Sequence, residues 1–127
     1  MAKKILIVDD NEHLRTILAS ILQFSGYEIS EAATGTQAIE KAVSAKPNLI
    51  LLDLELPDMT GADAAQAISK DPRTARIPIV GCSAFIGWEW REKALRAGMV
   101  DYLVKPISLE VIKAKIGEFI RTDKQIK

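Results

Sequence analysis

The chain has 127 residues, of which 48% are hydrophobic, and its 17 Lys plus Arg balance 17 Asp plus Glu to a formal net charge of zero. That length suits one domain with its own core, and the apolar fraction excludes a disordered chain. The charge balance argues against a domain built to grip nucleic acid, which needs clustered positive charge. The single cysteine, Cys82, excludes an internal disulfide, and its apolar surroundings read as a buried small residue rather than a reactive thiol. No stretch approaches the ~18 apolar residues of a membrane span. The run Ile5–Val8 ends in two acids and is too short for a secretory signal. The expected setting is the cytoplasm.

Short apolar runs alternate with helix-period segments. The first run, Ile5–Val8, is followed by Leu14, Ile17, Leu18, Ile21 and Leu22, a helical stripe that Gly26 stops. A second run, Tyr27–Ser30, precedes a helix expected over about 36–45, with Ala38, Ile39, Ala42 and Val43 inward and Pro47 just beyond. Leu49–Leu52 follows, then a short helix over about 61–69 that either Asp58 or Thr60 could cap. Ile77–Val80 comes next, then a helix over about 88–97 that stops at Gly98. The last strand is expected at Val100–Val104. The last helix, after an N-cap at Ser108, carries Leu109, Ile112, Ile116, Phe119 and Ile120 on one face and Lys113, Lys115 and Glu118 on a wet one. Runs of this length between turn residues suit strands, and several are apolar throughout, as strands covered on both faces are. The expectation is an α/β fold: a doubly wound (βα)5 unit with a five-stranded parallel sheet, one domain over residues 1–121 and a polar tail over 122–127.

In such sheets ligands bind at the carboxyl ends of the strands. The first strand ends in Asp9 and Asp10, the third in Asp53, the fourth in Cys82 and Ser83, and the fifth in Lys105 and Pro106. Glu31, after the second, adds nothing obvious. Taken alone, the acidic pair could be no more than a helix cap, and Asp10 or Asn11 could cap the first helix. Together, three converging carboxylates repel one another unless a cation sits among them, and a hard divalent ion such as Mg2+ resolves the conflict. The same set suits phosphoryl transfer, which is mainly positioning and neutralisation of charge. Asp53 would be the nucleophile, Asp9 and Asp10 would hold the metal, Lys105 would pair with a phosphoryl oxygen, and Ser83 would donate to another.

Four segments then carry a family resemblance: Ile5–Asn11, Leu49–Gly61, Pro78–Ala84 and Gly98–Pro106. Over essentially its whole length the chain resembles the receiver domains of two-component response regulators, chemotaxis-regulator-like single-domain members among them. The resemblance implies a flavodoxin-like sheet of order 2-1-3-4-5. It implies that Asp53 accepts phosphate from a phosphohistidine, on a sensor histidine kinase or a phosphotransfer protein. Asp10 would bind Mg2+ directly, Asp9 partly through water, and the backbone carbonyl of Glu55 would be the third protein ligand. Ser83 and Lys105 would grip the phosphoryl group, the Lys105–Pro106 bond would be cis, and Tyr102 would swing as Ser83 moves. Some positions depart from the common pattern. Phe85 is bulky where small or polar residues are usual, Glu55 adds a carboxylate, and both flank the line along which water would attack. Met99 and Val100 replace a small, polar pair, with packing as the expected consequence.

Two or three new charged hydrogen bonds at about 1.5–3 kcal/mol each match the ~5.5 kcal/mol that carries a two-state equilibrium from about 1:99 to 99:1. Drawing Ser83 in is therefore expected to admit Tyr102 and to change the surface of the fourth helix, fifth strand and fifth helix, where a downstream protein partner would bind. Trp88 and Trp90 lie roughly 200° apart if both are helical. Both cannot then be buried, which makes one of them a candidate partner contact; the alternative is that Trp88 lies in the loop before the helix and packs locally. His13 reads as a solvent-facing helix residue. Two other readings stay open: a magnesium-dependent phosphohydrolase of the haloacid-dehalogenase type, weakly echoed by Asp53-Leu54-Glu55, and an interaction module without phosphorylation. The expectation is a switch and not an enzyme of separate turnover, without direct nucleic-acid or membrane binding, and either monomeric or dimerising on phosphorylation. No output domain follows the last helix in this sequence, which leaves a stand-alone protein and an excised domain both open.

Overall fold

The computed structural model describes residues 2–85 and 87–120, so the expected tail at 122–127 lies outside the described residues. Strand and helix alternate as β1 (Lys4–Val8), α1 (Glu12–Phe24), β2 (Glu28–Ala32), α2 (Gly35–Ala45), β3 (Leu49–Asp53), α3 (Gly61–Lys70), β4 (Ile79–Ser83), α4 (Trp88–Arg96), β5 (Asp101–Val104) and α5 (Leu109–Phe119). The five strands form one sheet in the order β2-β1-β3-β4-β5, and every neighbouring pair is parallel.

Alternation along the strands sends successive side chains to opposite faces. Leu6, Val8, Ile50, Leu52 and Ile79 meet Ala38, Ala42, Ala64, Ala65 and Ile68, together with Ala94, on one side. Ile5, Ile7, Leu49, Leu51, Val80 and Leu103 meet Ala19, Leu22, Ile112 and Ile116 on the other. All five residues of β3 are buried, as a central strand covered on both faces requires. Truncating a core residue such as Leu52 to Ala would cost about 2–5 kcal/mol.

Side-chain oxygens start four of the helices: Asn11 accepts from the Leu14 N–H, Thr34 from Gln37, Thr60 from Asp63 and Ser108 from Val111. Thr60, not Asp58, caps α3. Asp58 instead accepts from the N–H groups of Gly35 and Thr36 and from the Thr36 hydroxyl, tying the β3–α3 loop to the start of α2. Those donors hold its carboxyl down to about 2. The start of α4 differs, with Gly87 at φ 132° and no side-chain cap.

Two strands run later than their apolar pattern suggests. Tyr27 spends its N–H on the Leu22 carbonyl at the end of α1, so β2 begins at Glu28. Ile77 bonds the Thr74 carbonyl in a turn, and Pro78 has no N–H to give, so β4 begins at Ile79 and continues to Ser83. Within it, a Cβ on Gly81 would lie 2.5 Å from Sδ of buried Met99, so the missing side chain leaves room for Met99. The helical stripe of α1 is only partly covered, because Leu14 and Ile17 remain 49% and 45% exposed. They line an apolar groove of about 500 Å³ between α1 and α5.

Candidate functional site

Parallel register brings the strand ends level. Val8 pairs with Leu52, Asp53 with Cys82 and Ser83 with Val104. Asp9 therefore follows β1 beside Asp53, the last residue of β3, while Ser83 closes β4 and Lys105 follows β5. Gly61 sets the depth of the site. A Cβ on it would fall 2.5 Å from the Asp53 carbonyl oxygen and 2.6 Å from Leu54 Cα, and its N–H donates to the Leu54 carbonyl at 2.8 Å. The close approach of α3 to the backbone of Asp53 thus requires glycine.

Oxygens of Asp9, Asp10 and Asp53 all lie within 4.8 Å of one another. Lys105 Nζ donates to Asp53 Oδ2 at 3.0 Å and to Asp9 Oδ2 at 3.1 Å. Asp53 is buried, and its Oδ1 accepts the Glu55 N–H at 3.0 Å. Burial pushes its carboxyl above the usual range and nearby Asp9 adds to that, although the Glu55 N–H and Lys105 pull the other way. Burial works against the Lys105 ammonium, but its bonds to Asp53 and Asp9 outweigh this and raise its pKa. Three close carboxylates offering only oxygen fit a hard divalent cation of the magnesium kind. Asp10 is exposed and forms the open side of the cluster. Glu55 is exposed and lines a separate cleft of about 490 Å³, shared with Phe85 and Trp90.

Ser83 is fully buried, and its Oγ accepts the Phe85 N–H at 3.2 Å. Tyr102 is inward and 5% exposed, with its hydroxyl donating to the Phe85 carbonyl at 2.7 Å. This is the ring position the sequence assigned to the switched form. Both tryptophans lie in α4, and they divide as the helical angle requires: Trp88 is 71% exposed, while Trp90 packs on the core and stacks on Phe85. His13 is exposed, and the Lys105–Pro106 bond is cis. Cys82 is half-buried at the wall of the α1–α5 groove, and burial pushes its thiol up to about 12.

Three supports escaped the sequence reading. Arg15, one turn into α1, donates to the Asp9 carbonyl at 2.6 Å and to Glu31 Oε1 at 3.0 Å, so Glu31 has a partner after all. Gly61 is the second. The third is Asp101, buried at the start of β5, which pairs with Arg91 of α4 at 3.1 Å and Lys115 of α5 at 2.6 Å. Lys115 is therefore no ordinary wet-face residue. Only the i, i+3 step to Glu118 was visible beforehand; pairings across elements leave no local signal.

Comparison with known proteins agrees with this arrangement. The model of the response regulator receiver domain matches residues 5–117. The chemotaxis protein CheY of Thermotoga maritima is 38% identical over 107 residues, covering 84% of this chain and 88% of the relative. Chemotaxis protein CheY4 of Vibrio cholerae superposes with a TM-score of 0.89 at 28% identity, over 94% of this chain and all of that one (100%). The receiver domain of a sensor histidine kinase from Pseudomonas aeruginosa, solved with a magnesium ion in its active-site cleft, gives 0.87 at 31% identity over 96% of this chain and 100% of that one. With the sheet order, the acidic cluster and a family match over nearly the whole length in agreement, the chain belongs to the response regulator receiver family of two-component signalling.

Proposed function

We propose that the protein is a phosphoacceptor switch in which Asp53 takes a phosphoryl group from the phosphohistidine of a sensor histidine kinase or a phosphotransfer protein. The observation that carries this reading is the buried Asp53 carboxylate held within 4.8 Å of those of Asp9 and Asp10 and bonded at 3.0 Å by Lys105. An Asp53 oxygen attacks phosphorus as the bond to the donor imidazole nitrogen breaks, leaving an acyl phosphate on Asp53. Lys105 and the buried Ser83 hydroxyl each hold one phosphoryl oxygen. Asp9, Asp10, Asp53 and the Glu55 carbonyl are the residues that would hold Mg2+, which when bound neutralises charge on the transferred group.

The Ser83 oxygen accepts the Phe85 N–H while its own O–H can donate to a phosphoryl oxygen, and Phe85 is also the acceptor for Tyr102. The site is thereby joined to the face of α4, β5 and α5. A downstream protein partner binds there, with exposed Trp88 as one contact. The protein acts in the cytoplasm by binding, as a monomer or as a dimer formed on phosphorylation, and turns over no separate metabolite. The test is phosphotransfer with Mg2+ to wild type and Asp53→Ala, read by intact mass. One phosphoryl group is expected on wild type and none on the variant; label persisting in the variant overturns the assignment.

A further inference from the structure

Asp9 and Asp10 stand in the short turn between the end of β1 and Asn11, the N-cap of α1. Asp10 is exposed, so its carboxylate is aimed by the backbone that carries it rather than by packing. Asp9 is held at both carboxylate oxygens, Oδ1 by the Asn11 N–H at 2.9 Å and Oδ2 by Lys105 at 3.1 Å. Those are the oxygens that a metal ion would take, and Lys105 is the group that a phosphoryl oxygen would draw away. Its backbone holds carry no such conflict. The Asp9 N–H donates to the Ala32 carbonyl at 3.1 Å, and the Asp9 carbonyl accepts Arg15 Nη1 at 2.6 Å. Arg15 is anchored in turn. Its Nε donates to Glu31 Oε1 at 3.0 Å, and its side chain is only 14% exposed. Glu31 lies on β2 opposite Ile7 of β1, and its carbonyl accepts Lys41 of α2. The guanidinium is a rigid planar fork, and here its two donors meet two fixed acceptors, which a lysine ammonium could not match.

We infer that the Arg15–Glu31 pair is a positioning device for the metal site: it fixes the peptide between Asp9 and Asp10, and so aims both carboxylates at the point they share with Asp53. The inference rests on Asp9, Asp10 and Asp53 as the residues that would hold Mg2+. A purely electrostatic role for Arg15 has the opposite sign. A cation beside three carboxylates repels a dication, so on charge alone its removal tightens Mg2+ binding, whereas loss of aim weakens it. Groups that orient metal ligands from behind contribute about 10–100-fold to metal affinity.

The test reads Mg2+ affinity from the rise in Tm across a magnesium chloride series at constant ionic strength, with no phosphodonor present. The variants are Arg15→Met, which keeps the apolar stem, Arg15→Lys, Arg15→Met combined with Glu31→Gln, and Ile116→Val, a buried change under α5, as a control for stability. Arg15→Met is expected to weaken Mg2+ binding about tenfold. The double variant, which removes both charges and leaves no carboxylate without its partner, is expected to weaken it by the same factor, because one device is broken once. Arg15→Lys falls between Arg15→Met and wild type. Ile116→Val lowers metal-free Tm and keeps wild-type affinity. Should Arg15→Met alone fail to fold, the double variant carries the comparison. Affinity within about twofold of wild type, or tighter, in the folded variants overturns the inference while leaving the acidic trio as the metal site, and so does an equal loss in Ile116→Val. A wild-type Tm that does not respond to Mg2+ overturns the metal site and the inference with it.

Discussion

Asp101 offers a quantitative check on the face that α4, β5 and α5 share. Its side chain is 7% exposed, accepts a 2.6 Å bond from Lys115 and a 2.7 Å bond from the Tyr102 N–H, and forms an ion pair with Arg91 at 3.1 Å. Asp101→Asn keeps the shape and one acceptor oxygen but leaves the two cations facing a neutral amide. Arg91 is 54% exposed, so water replaces most of what it loses and its pair contributes no more than the ~0–1 kcal/mol of a surface bridge. Lys115, at 27%, is better enclosed, and its charged bond contributes about 1.5 kcal/mol. The expected loss is therefore about 1.5–2.5 kcal/mol, or roughly 6–9 °C in Tm for a domain of this size. Burial by itself would raise the Asp101 pKa, but Lys115, the Tyr102 N–H and Arg91 together bring it below 3.8. A depressed carboxyl stabilises the fold above its unfolded pKa and loses that contribution as pH falls through the folded one. Urea unfolding should thus separate wild type from Asp101→Asn at pH 7, and the gap should close below about pH 3.8 as the wild-type carboxyl takes up its proton. Equal stabilities at pH 7, or a gap unchanged well below the pKa, would refute this account of the ion pairs. Lys115→Met in the Asp101→Asn background should then add little to the single substitution.

Gly61→Ala puts a Cβ 2.5 Å from the Asp53 carbonyl oxygen; it should cost about 1–3 kcal/mol in urea unfolding and slow phosphoryl uptake, because the backbone that must move carries the acceptor. Adding Mg2+ should stabilise the fold in step with its binding, by about 2.7 kcal/mol at 100 times Kd, and so raise Tm; Asp10→Asn, an exposed change, should abolish the rise while leaving metal-free stability within about 0.5 kcal/mol of wild type, both read by thermal melts with and without the ion. Cys82, whose thiol is pushed up to about 12, should react with a thiol reagent at pH 8 far more slowly in the native protein than in urea, and equal rates would show the side chain to be open.

Most of the architecture was legible because its signals are local. Apolar runs such as Leu49–Leu52 and helical stripes such as Ile112 and Ile116 each need only a short window to be read, and so do caps at Asn11 and Ser108. The site was legible for a related reason. A parallel sheet sends every strand's carboxyl end to one edge, so Asp9, Asp10, Asp53, Ser83 and Lys105 could be gathered without coordinates. Element boundaries were less visible: β4 starts two residues late because Pro78 has no N–H and Ile77 is held in a turn.

What the chain determines by itself is a period and a punctuation: two-residue alternation, the 3.6-residue stripe, and polar residues placed where strands stop. Those follow from backbone geometry and hold in any surroundings. Only the tertiary structure decided which distant groups meet. Asp58 leaves its own helix to serve α2, Arg15 braces Asp9, Gly61 makes room for the Asp53 backbone, Asp101 ties α4 to α5, and Phe85 lies on Trp90. The reason is range: such contacts depend on register and helix placement, which the whole core sets at once and no local stretch of residues encodes.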